Sequence, residues 1–195
     1  MMQLKNNSSK PAFGPLEAVL TLSALLLILG AGFTFWSIKQ AERRDQQRIV
    51  NLKQIQSAVN RYFNENRHFP VGEKDDGNWD LGYNGPGDSH FIYQLVEKGY
   101  LPAGFAADPL SKFNKDKGID YTFRYQVYPD DGQFCPRGQG EFYVLGIRDL
   151  ETDNAAIGEQ PKKFEGSGFK CKNRDWQDEF DYVVGAFASP INKKK

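Results

Sequence analysis

The sequence predicts an α+β protein in which one long N-terminal helix leads into a soluble domain and packs there on a small antiparallel sheet. Three observations predict it. Residues Leu16 to Ile38 form an apolar run with a single charge, Glu17. From Lys39 to Asn66 the chain has no Gly or Pro and many good helix formers, so the helix continues without a break. Nearer the C-terminus, Tyr121–Tyr128, Glu141–Ile147 and Tyr182–Phe187 read as strands.

The apolar run is long enough to cross the roughly 30 Å hydrocarbon core of a bilayer at 1.5 Å per residue. A cleaved secretory signal is the alternative, with a shorter apolar region of about 7–15 residues. Gly30-Ala31-Gly32 imitates its small-residue cleavage site, yet Phe33, Phe35 and Trp36 carry the run past that point. A retained membrane anchor is therefore the expectation.

Beyond the span, Leu52, Ile55, Val59 and Tyr62 or Phe63 recur at helical spacing and form one apolar stripe, the pattern of a helix laid against a core. The charged residues ahead of the stripe, Glu42, Arg43, Arg44, Asp45 and Arg48, are expected to form a solvated collar just outside the membrane. Pro70 ends the helix, because proline cannot continue it and pushes its predecessor towards extended geometry. A helix from Phe13 to Asn66 would be about 80 Å long. No Ser/Gly/Pro linker separates anchor from domain, so the two share an element.

Residues 71–90 are rich in Gly and Asp and read as a loop. Phe91 to Lys98 reads as a short amphipathic helix, with Gly99 as its stop. Tyr121, Phe123, Tyr125 and Val127 alternate along one face of the first strand, and Pro129-Asp130-Asp131-Gly132 turns the chain into the second. The charged, Gly-containing segment 148–181 is expected to loop over the surface, tied down at Cys171. The Lys193–Lys195 tail reads as a solvated terminus.

Composition narrows the function. Lys and Arg total 25 and so do Asp and Glu, which leaves no electrostatic case for nucleic acid. No GxSxG, P-loop or GxGxxG context occurs, so neither catalytic nor cofactor-binding residues are assigned and an enzyme is not expected. The two histidines, His68 and His90, lack metal-ligand spacing. The acidic stretches Asp130-Asp131-Gly132 and Asp149–Asp153 hold no complete twelve-residue calcium loop and read as solvated acids. Asp80, Glu97 and other carboxylates could pair for acid–base work only through long-range folding.

Two features conflict on orientation. Lys5 and Lys10 precede the span while Lys39, Arg43, Arg44 and Arg48 follow it, and that count favours a cytoplasmic domain. Against this, Cys135 and Cys171 form an even pair in a loop-rich domain, which suits a disulfide in an oxidising compartment; a reduced pair is the alternative.

Several of these residues fall into a family pattern. Ala12-Phe13-Gly14-Pro15-Leu16-Glu17 is similar to a leader cut before an aromatic residue, with Glu at the fifth mature position inside the span. Arg44-Asp45 through Leu52–Gln56, then Tyr62–Asn66 and Phe69-Pro70, look like a helix's second half and its exit. Gly99–Pro102, Asp108-Pro109, Tyr121–Tyr125, Tyr143–Leu145 and Leu150-Glu151 follow in the matching order. Over about residues 5 to 151 the chain resembles type IV pilin-like proteins, in particular the major pseudopilins of type II secretion systems and related minor pilins. It departs from them at Ala12, where the family usually has Gly, and at Pro15, an unusual residue so close to the cut.

The resemblance implies a leader over 1–12, a transmembrane helix half over 13–38 and an extracytoplasmic domain over 39–195. That domain would hold the helix half 39–66 and a sheet over about 121–187. Its N-terminus would be cytoplasmic and its domain outside, which settles the orientation and suits a Cys135–Cys171 disulfide. A prepilin peptidase would cut between Ala12 and Phe13, with methylation of the new terminus. Glu17 would then meet the α-amino group of a neighbouring subunit; from the residues alone, a Glu at the membrane boundary reaching the headgroups is the other reading. Partners would be the membrane, other pilin-like subunits, an inner-membrane platform and its ATPase. No cofactor is implied; calcium stays open, since some pseudopilins bind it in a C-terminal loop. An uncleaved anchored binding protein, using its 71–90 or 148–181 loops and not polymerising, is the alternative.

Overall fold

A computed structural model describes residues 14–72, 78–82, 91–102, 105, 108, 110, 113–114, 119–152 and 166–188. The expected Ala12–Phe13 cut and His90 lie outside them. The chain divides into two compact units, Met1–Gln40 and Ala41–Lys195. One helix, α1 (Pro15–Asn66), runs through both, 52 residues without a break.

In the first unit every large apolar side chain from Leu16 to Trp36 is exposed, and this helix alone among the described residues is long and apolar enough to cross a membrane. Pro15 occupies the first helical position, where its fixed φ suits the helix and its missing N–H costs nothing.

In the second unit the apolar stripe is buried as expected. Leu52, Ile55, Val59 and Tyr62 are fully covered, and Phe63 is half-buried beside them. The helix ends one residue before Arg67, which takes a left-handed φ of 64° and donates its N–H to the Phe63 carbonyl at 2.8 Å. Then α2 (Tyr93–Glu97) forms the core of the expected short helix, and Gly99 closes it with φ 74° and an N–H to Val96 O at 3.0 Å.

The three expected strands are present as β4 (Phe123–Tyr128), β5 (Phe142–Ile147) and β6 (Tyr182–Phe187). A short β1 (Asp80–Gly82) joins them in an antiparallel sheet of order β1-β4-β5-β6. β1 lies inside the stretch expected to be loop; three residues amid Gly and Asp are too few to show a period, and pairing with Phe123–Tyr125 makes them a strand. Phe113–Asn114 (β2) and Ile119–Asp120 (β3) add a separate two-stranded ribbon.

The register sorts side chains onto two faces. Phe123, Tyr125, Tyr143, Leu145, Ile147, Tyr182 and Val184 join the α1 stripe in one core. Tyr128, Phe142, Val144 and Val183 face the other way, into a second cluster with Phe169, Trp176 and Phe180. The segment expected to loop over the surface therefore supplies a core. It carries a 3₁₀ turn at Trp176–Asp178, and Phe169, Trp176 and Phe180 cover the sheet. Two glycines make room: a Cβ on Gly146 would stand 2.6 Å from a Phe180 ring carbon, and one on Gly185 2.6 Å from Phe169 Cγ.

Candidate functional site

At its start, α1 has an N-terminal cap built from its own sequence. Glu17 sits two residues after Pro15, and its Oε2 accepts the Gly14 N–H at 3.3 Å. This is the reach-back of a glutamate at the third helical position, and it places negative charge at the positive end of the helix.

The other polar side chains of the apolar half are treated alike. Thr21 donates to Ala18 O at 3.0 Å, Ser23 to Val19 O at 2.8 Å, Thr34 to Ala31 O at 2.9 Å and Ser37 to Thr34 O at 2.8 Å. From Pro15 to Ile38, each hydroxyl and the one carboxylate thus find a partner within the helix or its cap. Hydrocarbon offers no hydrogen bonds, so a helix with its hydroxyl donors met internally is suited to enter it.

The charged collar requires a correction. Asp45 and Arg48 are 1% exposed and form a buried polar cluster. They extend the stripe backwards at the same spacing: 45, 48, 52, 55, 59, 62. Arg48 Nε donates to both oxygens of buried Asp108 at 3.0 and 2.8 Å, and its Nη1 reaches Asp149 O at 3.0 Å and Asp45 Oδ1 at 3.3 Å. Its guanidinium also lies 5.4 Å from the Tyr121 ring centroid. Asp45 accepts the N–H groups of Glu151 and Thr152 at 3.1 and 2.9 Å and the Thr152 hydroxyl at 2.9 Å. A desolvated charge persists only where it is paired and hydrogen-bonded, and here two side chains tie α1 to Asp108 and to the 149–152 backbone.

In the rest of the collar Arg43 and Arg44 face solvent, and Glu42 is half-buried. Arg44 is half exposed and forms a bidentate pair with Glu151 at 2.6 and 2.7 Å, which raises the Arg44 pKa. Glu151 thus meets α1 through its carboxylate and Asp149 through its backbone carbonyl, whereas Asp153 lies outside the described residues.

Cys135 and Cys171 are joined by a disulfide across 36 positions of sequence. It fastens the 129–140 turn region to the segment carrying Trp176. Arg174 lies 4.9 Å from the Phe134 ring and 5.0 Å from that of Trp176, and pairs with Glu179 at 2.7 Å.

The acids that raised calcium are spent on backbone. Asp130 accepts the N–H groups of Gly138 and Gly140, and Asp131 that of Gln133. No group of three metal-ligating side chains converges among the described residues. His68 is exposed at the helix exit, with Nδ1 3.0 Å from Phe69 O. Asp80 accepts the Ile92 N–H at 2.7 Å, while Glu97 is exposed on α2.

No family model, curated protein or solved structure matches this chain. The architecture still defines a class. A long apolar N-terminal helix leading into a four-stranded antiparallel sheet with a disulfide is a pilin-like topology. The apolar helix and the disulfide together suit membrane anchoring or secretion.

Proposed function

We propose that this chain is a structural subunit, a pilin or pseudopilin, of a type IV pilus-like or type II secretion-like filament at the cell envelope. The observation that carries the reading is the single helix Pro15–Asn66. Its first half is apolar with its hydroxyls and Glu17 met internally; its second half lays an apolar stripe on a core. A tether needs only the first property and a domain only the second. One continuous element having both suits a subunit that leaves the bilayer by packing its apolar half against copies of itself.

In this reading a prepilin peptidase cuts after Ala12, and Phe13 becomes the methylated N-terminus. The leader side is cytoplasmic and the domain lies outside. Glu17 then exchanges its contact with Gly14 for the α-amino group of a neighbour, neutralising both charges in an apolar filament core. An inner-membrane platform and a cytoplasmic ATPase drive the assembly.

One observation favours the second reading, an uncleaved anchored binding protein. The Glu17 carboxylate is already engaged by the Gly14 N–H within its own chain, so its charge has a partner without a neighbouring subunit. Two measurements separate the readings. Intact mass of the native protein finds Phe13 first in the filament reading and the leader retained in the other. Glu17→Ala abolishes filament incorporation in the first and leaves the anchored protein's level and binding unchanged in the second.

A further inference from the structure

The sheet is covered on both faces, but by different means. Its α1 face is closed by two helices and a buried apolar cluster that holds neither cysteine. Its outer face is covered mainly by two segments of little regular structure, 129–141 and 166–181, with Trp79 packed beside them on Tyr128 and Phe180. The described hydrogen bonds between them come from Asn173, at 3.2 Å to Phe134 O and 3.1 Å to Gln133 O. The 166–181 segment is otherwise fastened at its ends. At one, Gly168 N–H meets Val183 O at 2.8 Å and Ser167 Oγ accepts the Val183 N–H at 3.1 Å. At the other, Asp181 N–H meets Arg148 O at 3.2 Å and its carboxylate accepts the Leu150 N–H at 2.6 Å. The Cys135–Cys171 bond is the covalent link between the two segments, and it lies within the cluster that holds Trp176, Phe169 and Phe134.

We propose that the outer core is a redox-gated unit: the α1-side core closes with or without the disulfide, whereas the aromatic cover over the outer face stays closed only when Cys135 and Cys171 are joined. Without the bond, the entropy of closing a long loop opposes the burial of Phe169, Trp176 and Phe180 and a few hydrogen bonds at the segment's ends, and the bond tips that balance. With the bond, that cost is already met in the open state. The chain thus completes its fold in a compartment that supplies oxidant, and until then presents Phe142, Val144 and Val183 of the sheet uncovered.

The step balances through thiol–disulfide exchange with a dithiol–disulfide oxidant. One cysteine thiolate attacks the oxidant's disulfide to form a mixed disulfide, and the second displaces it. The chain gives up two electrons and two protons, and the oxidant leaves as the dithiol. The device serves an anchored monomer and a filament subunit alike.

The test is amide hydrogen exchange on the full chain in detergent micelles, oxidised, reduced with dithiothreitol, and as the Cys135→Ala/Cys171→Ala double variant. On reduction, peptides covering 129–140 and 166–181 exchange at least about tenfold faster, while those covering 48–63 of α1 keep their protection. Reoxidation with glutathione disulfide restores the slow rates in the wild type. The proposal is overturned if both regions accelerate together, which makes the disulfide a clamp on the whole domain, or if neither does. The reduced wild-type chain decides between these outcomes even where the double variant does not fold.

Discussion

Asp108→Ala removes the partner of Arg48 and leaves a guanidinium 1% exposed with its main counter-charge gone. At 2.8 Å the pair attracts by about 6 kcal/mol at an effective dielectric constant of about 20. Desolvation, at several kcal/mol per ion, offsets most of that, so the intact pair contributes little net stability. Breaking it is different, because the desolvation of Arg48 remains while the attraction is lost. The expected cost is about 3–5 kcal/mol. Arg48→Met on its own removes the cation beside buried Asp108, which keeps the Leu110 N–H at 2.9 Å, and costs a similar amount. In the double variant Arg48→Met/Asp108→Ala, Asp45 keeps its three bonds to Glu151 and Thr152, so the two losses do not add. A coupling energy of about 2 kcal/mol or more is expected from the cycle. Urea unfolding of the full chain in detergent, followed by near-ultraviolet circular dichroism, measures all four proteins. Asp108→Ala within about 0.5 kcal/mol of wild type, or strictly additive losses, would refute a desolvated, mutually dependent cluster.

Other outcomes follow from the same structure. Arg44→Ala breaks a pair whose cation is 47% exposed, so its cost stays below about 1 kcal/mol in the same unfolding assay, in contrast with Arg48. Gly185→Ala forces a methyl group to within 2.6 Å of both Phe169 Cγ and the Tyr143 carbonyl oxygen, and is expected to cost about 1–3 kcal/mol, read as a lowered thermal midpoint. Alkaline pH destabilises the domain. Burial pushes the Tyr143 pKa up to about 12 and that of Tyr125 well above its ordinary value, so above about pH 10 the unfolded chain loses protons that the folded chain keeps. Stability from these groups is therefore intact below about pH 10 and falls as pH rises, by about 2 kcal/mol for Tyr143 by about pH 12; a pH series of midpoints with Tyr143→Phe as control checks it.

Most of the helix and sheet is legible in periodicity because each has one apolar face at a fixed spacing. The stripe Leu52–Tyr62 and the alternation Phe123-Tyr125-Val127 each point at a single core. The outer core is not legible in this way, because Phe169, Trp176 and Phe180 sit in a segment with no period at all. Two signals for it do exist. β5 is apolar at consecutive positions, Phe142-Tyr143-Val144-Leu145, as a strand covered on both faces must be, and the strands carry Gly146 and Gly185 where rings lie over the backbone. Residue type alone assigns Asp45 and Arg48 to solvent. Their spacing from Leu52 puts them on the buried face, and spacing prevails once Asp108 and the 149–152 backbone supply partners. The start of α1 is legible in Pro15 and Glu17, although the Gly14–Glu17 contact is a feature of the chain by itself and precedes any neighbour.

Whether α1 is an assembly element as well as an anchor is tested most directly by electron microscopy of the sheared surface or periplasmic fraction, with antibody against an epitope-tagged copy of this chain. Thin filaments labelled along their length, lost in Glu17→Ala, are the expected result. A chain found solely as a monomer in the membrane fraction, with no labelled filament in cells that stably produce it, would contradict the filament role.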